Sequence, residues 1–310
     1  MMNGIINVYK EQGFTSHDVV AKLRGILKFK KIGHTGTLDP DAVGVLPVCL
    51  GKGTKICSMI TDWDKTYEAV MLLGTITDTA DISGNVLKSS EVNLTEADVL
   101  EACESFIGEY MQVPPMYSAL KVKGKKLYDY ARSGIEVERK ARKVVIKSLH
   151  VNDIDLEGKQ KFVTMTVECS KGTYIRTLCE DIGNKLGCGA CMYKLTRKRV
   201  GQFCIDDTLT LNQISALVLK GEFESVVKAI DDMFPQYPKL EVTVEGDKLL
   251  HNGNKIDLEY KEQFIKQFEG IDFVEGDKLR LYDSNGIFVG VYRVCEGLLT
   301  PIQMFYDANE

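Results

Sequence analysis

The chain has 310 residues, 44% of them hydrophobic and 27% charged, with a formal net charge of −5. That length suffices for one large domain, or a large domain with a small companion. No run of about eighteen apolar residues is present, which excludes a membrane-spanning helix, and Met1-Met2-Asn3-Gly4-Ile5-Ile6 lacks the cationic and long apolar regions of a secretory leader. Nine cysteines, an odd number in apolar settings such as Pro47-Val48-Cys49-Leu50, predict reduced core thiols in a cytoplasmic protein.

In chain order, Thr15-Ser16 predicts the cap of a helix whose apolar face is Val19, Val20, Leu23, Ile26 and Leu27. The stretch from Gly33 to Gly53 is too broken by glycine for regular helix. Thr66 to Gly74 alternates as a strand does, with Tyr67, Ala69, Met71 and Leu73 on one face. Thr95-Glu96-Ala97-Asp98 has the form of a capping box and predicts a helix with Val99, Leu100, Cys103, Phe106 and Ile107 inward. Lys161 to Cys169 reads as another strand. After Gly172 comes a helix with Ile175, Leu178, Ile182 and Leu186 inward, closed by Gly187. Pro235-Gln236-Tyr237-Pro238 then interrupts the pattern. Short strand-like pieces follow, separated by turns at 251–254, 275–277 and 283–286, which predicts a compact β unit. The domains expected are residues 1–238 and 239–310.

Charge is unevenly placed. Residues 117–147 carry ten Lys/Arg against three acids, whereas residues 241–310 carry seven against fourteen. A dense basic segment suits a surface that contacts phosphates, because each contact releases condensed counterions. Taken alone, such a run is more often a solvated face or a mobile loop. The acidic C-terminal unit is unusual for a module that binds RNA.

The most informative stretch is Gly33-His34-Thr35-Gly36-Thr37-Leu38-Asp39-Pro40-Asp41-Ala42-Val43-Gly44-Val45-Leu46-Pro47. Its glycines allow sharp turns and close approach of a ligand, and Pro40 restricts Asp39 to extended backbone, which fixes the direction of its carboxylate. An Asp-Pro pair in a glycine-rich loop is by itself an ordinary turn. The ordered string, however, resembles that of the TruB family of bacterial tRNA pseudouridine-55 synthases. The resemblance continues through Lys65-Thr66-Tyr67, Thr77-Asp78-Thr79-Ala80-Asp81-Ile82-Ser83-Gly84 and Pro114-Pro115-Met116-Tyr117-Ser118-Ala119-Leu120-Lys121. It ends with Lys171-Gly172-Thr173-Tyr174-Ile175-Arg176-Thr177-Leu178 and Leu195-Thr196-Arg197. These elements span roughly the first 200 residues. One departure is Lys10-Glu11, where the family has Lys-Pro; it leaves the placement of Lys10 open.

The resemblance implies an α+β pseudouridine synthase fold, a mixed central sheet flanked by helices, followed by a small C-terminal β-rich PUA-like domain. It implies an isomerase that converts uridine to pseudouridine in the T-arm stem-loop of tRNA, with no cofactor, no metal and no obligatory protein partner. Substrate and product are isomers, so the protein must supply a nucleophile or base, a hold on the detached uracil and a way to expose the target. Asp39 takes the first role, by adding to C1′, by adding to C6 or by abstracting a sugar proton. Arg176 pairs with Asp39 and favours its ionised form. Tyr67 stacks on the base and relays the C5 proton. His34, Tyr174 and Leu195 bind the extruded nucleotide. Without the motifs, Arg176 would pass as a surface arginine, His34 as a loop histidine, and Tyr67, Tyr174 and Leu195 as core. The basic residues from Lys121 to Lys147 are expected to clamp the RNA backbone, with Gly124 and Gly134 suggesting an element that orders on binding.

Two weaker signals are set aside. Cys188-Gly189-Ala190-Cys191, with Cys179 and Cys204 nearby, is irregular for structural zinc. In Gly51-Lys52-Gly53-Thr54-Lys55 the preceding glycine, Gly44, lies too far upstream for a phosphate loop. Two other functions remain open: a non-catalytic RNA-binding or tRNA-folding protein, and a guide-RNA-dependent relative. Intact Asp39, Tyr67 and Arg176 favour the enzyme; the basic insertion favours the stand-alone form.

Overall fold

The computed structural model describes residues 2–306 except 119, 267, 269 and 271. Ala119 of the Pro114–Lys121 string and residues 307–310 of the expected C-terminal unit lie outside the described residues. Contacts divide the chain into two units: residues 7–48 with 57–221, and residues 1–6, 49–56 and 222–310.

The first half of the chain supplies β1 (Gly4–Lys10), α1 (Ser16–Leu27), β2 (Ile32–His34), β3 (Val43–Leu50), α2 (Cys57–Thr61) and β4 (Lys65–Leu73). Next come β5 (Thr75–Thr77), β6 (Val86–Ser89), α3 (Glu96–Glu104) and β7 (Gly108–Gln112), then β8 (Lys121–Val122), β9 (Lys125–Lys126) and α4 (Leu127–Arg132). The long strands β10 (Arg142–Asp155) and β11 (Lys161–Cys169) lead to α5 (Ile175–Lys185), β12 (Ala190–Val200), β13 (Phe203–Cys204) and α6 (Leu211–Lys220). The central sheet runs β1-β3-β12-β4-β11-β10-β7, with β2 on β3 and β13 on β12. It is mixed: β12 is parallel to β3 and antiparallel to β4, and β4 is antiparallel to β11.

Local chemistry explains several elements. Thr15 caps α1, its hydroxyl accepting from Asp18 N–H while the Asp18 carboxylate accepts from Thr15 N–H, and Val19, Val20, Leu23 and Leu27 are buried. In β4 the alternation places Tyr67, Ala69, Met71 and Leu73 in one apolar cluster with Val99 and Cys103 of α3 and Ile175, Leu178 and Ile182 of α5. Both helices thus cover that face of the sheet.

Two residues expected inward on α3 are not. Leu100 and Ile107 are 47% and 45% exposed, and Val99, Ala102 and Cys103 form the buried face instead. Leu100 follows Val99 by one residue and is turned about 100° away from it. The helix ends at Glu104, so Ile107 lies beyond the last turn, where the helical periodicity no longer applies. The Gly33–Gly53 region contains no α-helix, as expected, but holds most of β2 and all of β3. The basic segment folds as the β8–β9 hairpin and α4, and its last residues, Arg142 to Lys147, begin β10.

The C-terminal part builds β14 (Lys239–Glu241), α7 (Val244–His251), β15 (Ile256–Asp257), α8 (Lys261–Phe264), β16 (Lys278–Tyr282), β17 (Phe288–Cys295) and β18 (Leu298–Met304), in a sheet ordered β14-β16-β17-β18-β15. Asp283 makes the β16–β17 turn, its carboxylate accepting from Asn285 and Ile287 N–H, both at 2.9 Å. Among the described residues no helix is long and apolar enough to cross a membrane.

Candidate active site

The loop between β2 and β3 is pinned along its length. Thr35 donates through its N–H and its hydroxyl to Pro47 C=O, and Leu38 N–H donates to the Ser16 hydroxyl, the first residue of α1. Two buried cations hold it from the inside. Lys10, fully buried at the end of β1, donates through Nζ to Pro40 C=O at 3.0 Å and to Ala42 C=O. Burial pulls the Lys10 ammonium down to about 8, with Asp39 and Asp41 opposing. Its placement, open in the sequence, is directly under the Asp-Pro turn. Arg197, 1% exposed, donates through Nε to Val45 C=O at 2.7 Å and through its two Nη atoms to Thr37 and Gly36 C=O, both at 3.4 Å. Gly44, at φ +107°, allows this approach, since a Cβ there would lie 2.3 Å from Arg197 O.

The loop presents Asp39, whose side chain is 40% exposed, to Arg176, whose side chain is only 6% exposed. Nε of Arg176 lies 3.0 Å from Asp39 Oδ2, and Nη2 donates to Oδ1 at 3.3 Å, a two-point grip. Burial raises the Asp39 carboxyl above the ordinary carboxylate range; the Arg176 guanidinium pulls it back and Asp81 adds to the rise. The other Arg176 nitrogen, Nη1, donates to Thr79 C=O at 3.3 Å and lies 3.5 Å from Asp81 Oδ2, while Nη2 also donates to Tyr117 C=O at 2.7 Å.

Asp81 is a functional candidate to which sequence reasoning assigns no role, although it stands within one of the motif strings. Its Oδ1 accepts from Thr79 Oγ1, Ser83 N–H and Ser83 Oγ, which leaves Oδ2 for the guanidinium. Ala80 beside it stands at φ +59°, a conformation that L residues rarely adopt. It is held there because Met192 N–H donates to Ala80 C=O and Ile82 N–H to Met192 C=O. A left-handed alanine beside the acid is a signal that the string alone does not show.

These groups open onto a cavity of about 810 Å³ lined by Asp39, Asp81, Arg176 and Leu195, with Tyr128 and Arg132 of α4. His34, Tyr67 and Tyr174 do not line it. Tyr67 is 9% exposed and belongs to the apolar cluster that includes Leu38 and Leu195. Burial raises its hydroxyl, with the charge of Arg197, its cross-strand neighbour, pulling the other way. His34 is half-buried, meets His17 edge-on at 5.3 Å, and accepts from Gly36 N–H at Nδ1; burial lowers its pKa. Tyr174 is the N-cap residue of α5.

The sequence as a whole matches a known group of proteins. The family model of the TruB family pseudouridylate synthase N-terminal domain matches residues 24–175, and that of the tRNA pseudouridylate synthase B C-terminal domain matches residues 176–234. The tRNA pseudouridine synthase B of Lachnoclostridium phytofermentans is 50% identical, the match covering 98% of this chain and 100% of that one. The chain belongs to the TruB family. That of Clostridium acetobutylicum is 49% identical over 82% of this chain and 86% of its own. One chain of the crystal structure of a Cbf5-Nop10-Gar1 complex superposes with a TM-score of 0.70 at 25% identity, covering 99% of this chain and 86% of that one.

In this TruB-family chain the basic segment reaches the cavity through α4. Arg132 stacks on Tyr128 at 5.2 Å, Lys126 lies over the same ring at 5.5 Å, and Lys125 lies over Tyr130 at 4.9 Å. Cys188 and Cys191 are buried, and burial raises both thiols, that of Cys191 to about 11. Among the described residues no group of three or more His, Cys, Asp or Glu converges to hold a metal ion.

Proposed function

We propose that this chain isomerises uridine to pseudouridine in tRNA, at nucleotide 55 of the T-loop, in the cytoplasm and without a cofactor. The observation that carries the reading is the two-point hold of buried Arg176 on half-exposed Asp39 at the mouth of the cavity. A carboxylate so held keeps one side free for an electrophilic carbon and returns unchanged at the end of the cycle. The reaction breaks the C1′–N1 bond and makes a C1′–C5 bond; the C5 proton leaves and N1 ends with one, so the product is an isomer of the substrate. Asp39 is the attacking group and Arg176 holds it ionised and aimed. Leu195 lines the cavity and holds the detached uracil. Tyr67, which stacks on the base and relays the C5 proton, and Tyr174 and His34, which bind the extruded nucleotide, lie outside the cavity lining and reach the base only if the wall moves when the RNA binds.

A uridine within a folded loop reaches Asp39 only when flipped out, and stacking and pocket contacts offset that cost. The basic residues from Lys121 to Lys147 clamp the backbone of the T-arm; residues 1–238 are the catalytic domain and residues 239–310 a PUA-like domain. The test is incubation of the purified chain with a tRNA transcript carrying tritium at uridine C5. Stoichiometric tritium release, with pseudouridine mapped to nucleotide 55, is the expected result. Release that requires an added guide RNA or protein partner would transfer the chain to the guide-dependent class, and no release under either condition would leave it a binding protein.

A further inference from the structure

Gln112 closes β7 and is 2% exposed. Its side-chain amide lies against the backbone of one residue, Tyr174, 62 positions away. Oε1 accepts from Tyr174 N–H at 2.8 Å, and Nε2 donates to Tyr174 C=O at 3.0 Å and to the Tyr110 hydroxyl oxygen. This pairing fixes which way the amide points, because a backbone N–H only donates and a carbonyl only accepts.

Tyr174 is the N-cap of α5, with no side-chain capping bond of its own, and its C=O also accepts from Leu178 N–H at 3.0 Å, the bond that opens the helix. Gln112 therefore serves the start of α5 as a neighbouring strand would, satisfying the N–H and C=O of the same residue. Two residues on stands Arg176. The chain that leaves Gln112 passes Pro114-Pro115 and brings Tyr117 C=O to 2.7 Å from Arg176 Nη2. Residues 112–117 thus hold both the backbone just before Arg176 and its guanidinium.

We propose that Gln112 is a positioning residue for the isomerisation: by locking Tyr174 it sets where the Arg176 guanidinium meets Asp39. The inference rests on the reading of Asp39 and Arg176 given above. Removing the amide leaves Tyr174 N–H without its partner in a buried place, and the helix start must shift to find another. Contacts of 3.0 and 3.3 Å at the Asp39 carboxylate weaken steeply with such a shift. Asp39 would then keep its burial but feel less of the cation that lowers its pKa, so the acid limb of the rate profile would move to higher pH.

The test is Gln112→Met, close in volume and without hydrogen bonds, assayed by single turnover on an unmodified tRNA transcript across pH, beside a thermal melt. The expected result is a kcat lower by about 10- to 100-fold, a KM for tRNA changed by less than about threefold, and an acid limb displaced upward. Gln112→Glu, assayed near neutral pH, keeps the acceptor for Tyr174 N–H but sets a carboxylate against Tyr174 C=O; it should lose kcat in the same way, and it decides the matter if the methionine variant does not fold. A folded variant with unchanged kcat and acid limb overturns the inference, as does a loss in which kcat and KM move together at an unchanged pH profile. Failure of both variants to fold also overturns it, since Gln112 would then serve the fold alone. A wild-type chain that makes no pseudouridine removes the underlying reading instead, and that outcome is separate from all of these.

Discussion

Arg176 grips Asp39 side-on, Nε to Oδ2 and Nη2 to Oδ1, while its remaining nitrogen faces Asp81. One buried guanidinium therefore serves two carboxylates with unequal freedom. Asp81 is 16% exposed and spends its other oxygen on Thr79 and Ser83, whereas Asp39 is open to the cavity. The geometry keeps the charge of one acid available and uses the other to hold the arginine. It also sets two opposed influences on Asp39, burial raising its pKa and Arg176 lowering it, with burial the larger.

A pH dependence follows. On the proposed reading the ionised Asp39 carboxylate is the working form, so single-turnover rates should rise with pH through a value above the ordinary aspartate range and level off toward neutrality. The same shift has the opposite sign for stability. A carboxyl whose folded pKa is raised favours folding when protonated, a contribution present below the unfolded pKa and lost as pH rises through the folded one. Rate profiles of the wild-type chain check this; an acid limb at or below that of a free aspartate contradicts it.

Asp81→Asn keeps the hydrogen-bond acceptor toward Ser83 and removes the charge. It should lower kcat by about 10- to 100-fold through a looser Arg176. Loss of the Asp81 charge lowers the Asp39 pKa while a looser Arg176 raises it, so the acid limb should move less than in Gln112→Met even as the plateau falls. A rate profile measured on the variant tests both directions together.

Gly44→Ala places a Cβ 2.3 Å from Arg197 O at φ +107°. Strain and displacement of β3 from β12 should destabilise the chain by about 2 to 4 kcal/mol. Urea unfolding of the variant checks this, and a destabilisation within about 0.5 kcal/mol would mean that the strands separate without strain.

Lys123 and Lys125 are exposed on the β8–β9 hairpin. Replacing both with Gln should weaken tRNA binding and reduce the slope of log K against log salt by roughly 0.7 to 0.9 for each phosphate that the hairpin no longer neutralises. Binding titrations at several salt concentrations read this directly. An unchanged slope would remove the hairpin from the RNA interface.

How much of this is legible in the sequence depends on how local the cause is. The Thr15–Asp18 and Thr95–Asp98 boxes act over three residues, and both helices begin where those residues place them. The alternation from Tyr67 to Leu73 likewise survives in β4, because a mid-sheet strand must sort its faces. On α3, Leu100 and Ile107 show the limit: apolar character points inward, while helix phase and the stop at Glu104 decide exposure. The site itself is non-local. Asp39 and Arg176 are 137 positions apart, Gln112 and Tyr174 are 62 apart, and Lys10 reaches across to Pro40 and Ala42. No spacing rule links such pairs; family motifs name the first, and only the folded chain reveals the others. The role of Asp81 is hidden for the same reason, since its meaning comes from a guanidinium that arrives from α5.

The central claim is that the Asp39 carboxylate attacks. Asp39→Asn preserves size and polarity and removes the charge, so a folded variant should bind tRNA as the wild type does. Single-turnover conversion of a uridine-labelled tRNA transcript is the most direct measurement. The account predicts no detectable pseudouridine from this variant at an enzyme concentration that saturates the RNA, where the wild type converts it fully. Conversion at a rate comparable to wild type would contradict it.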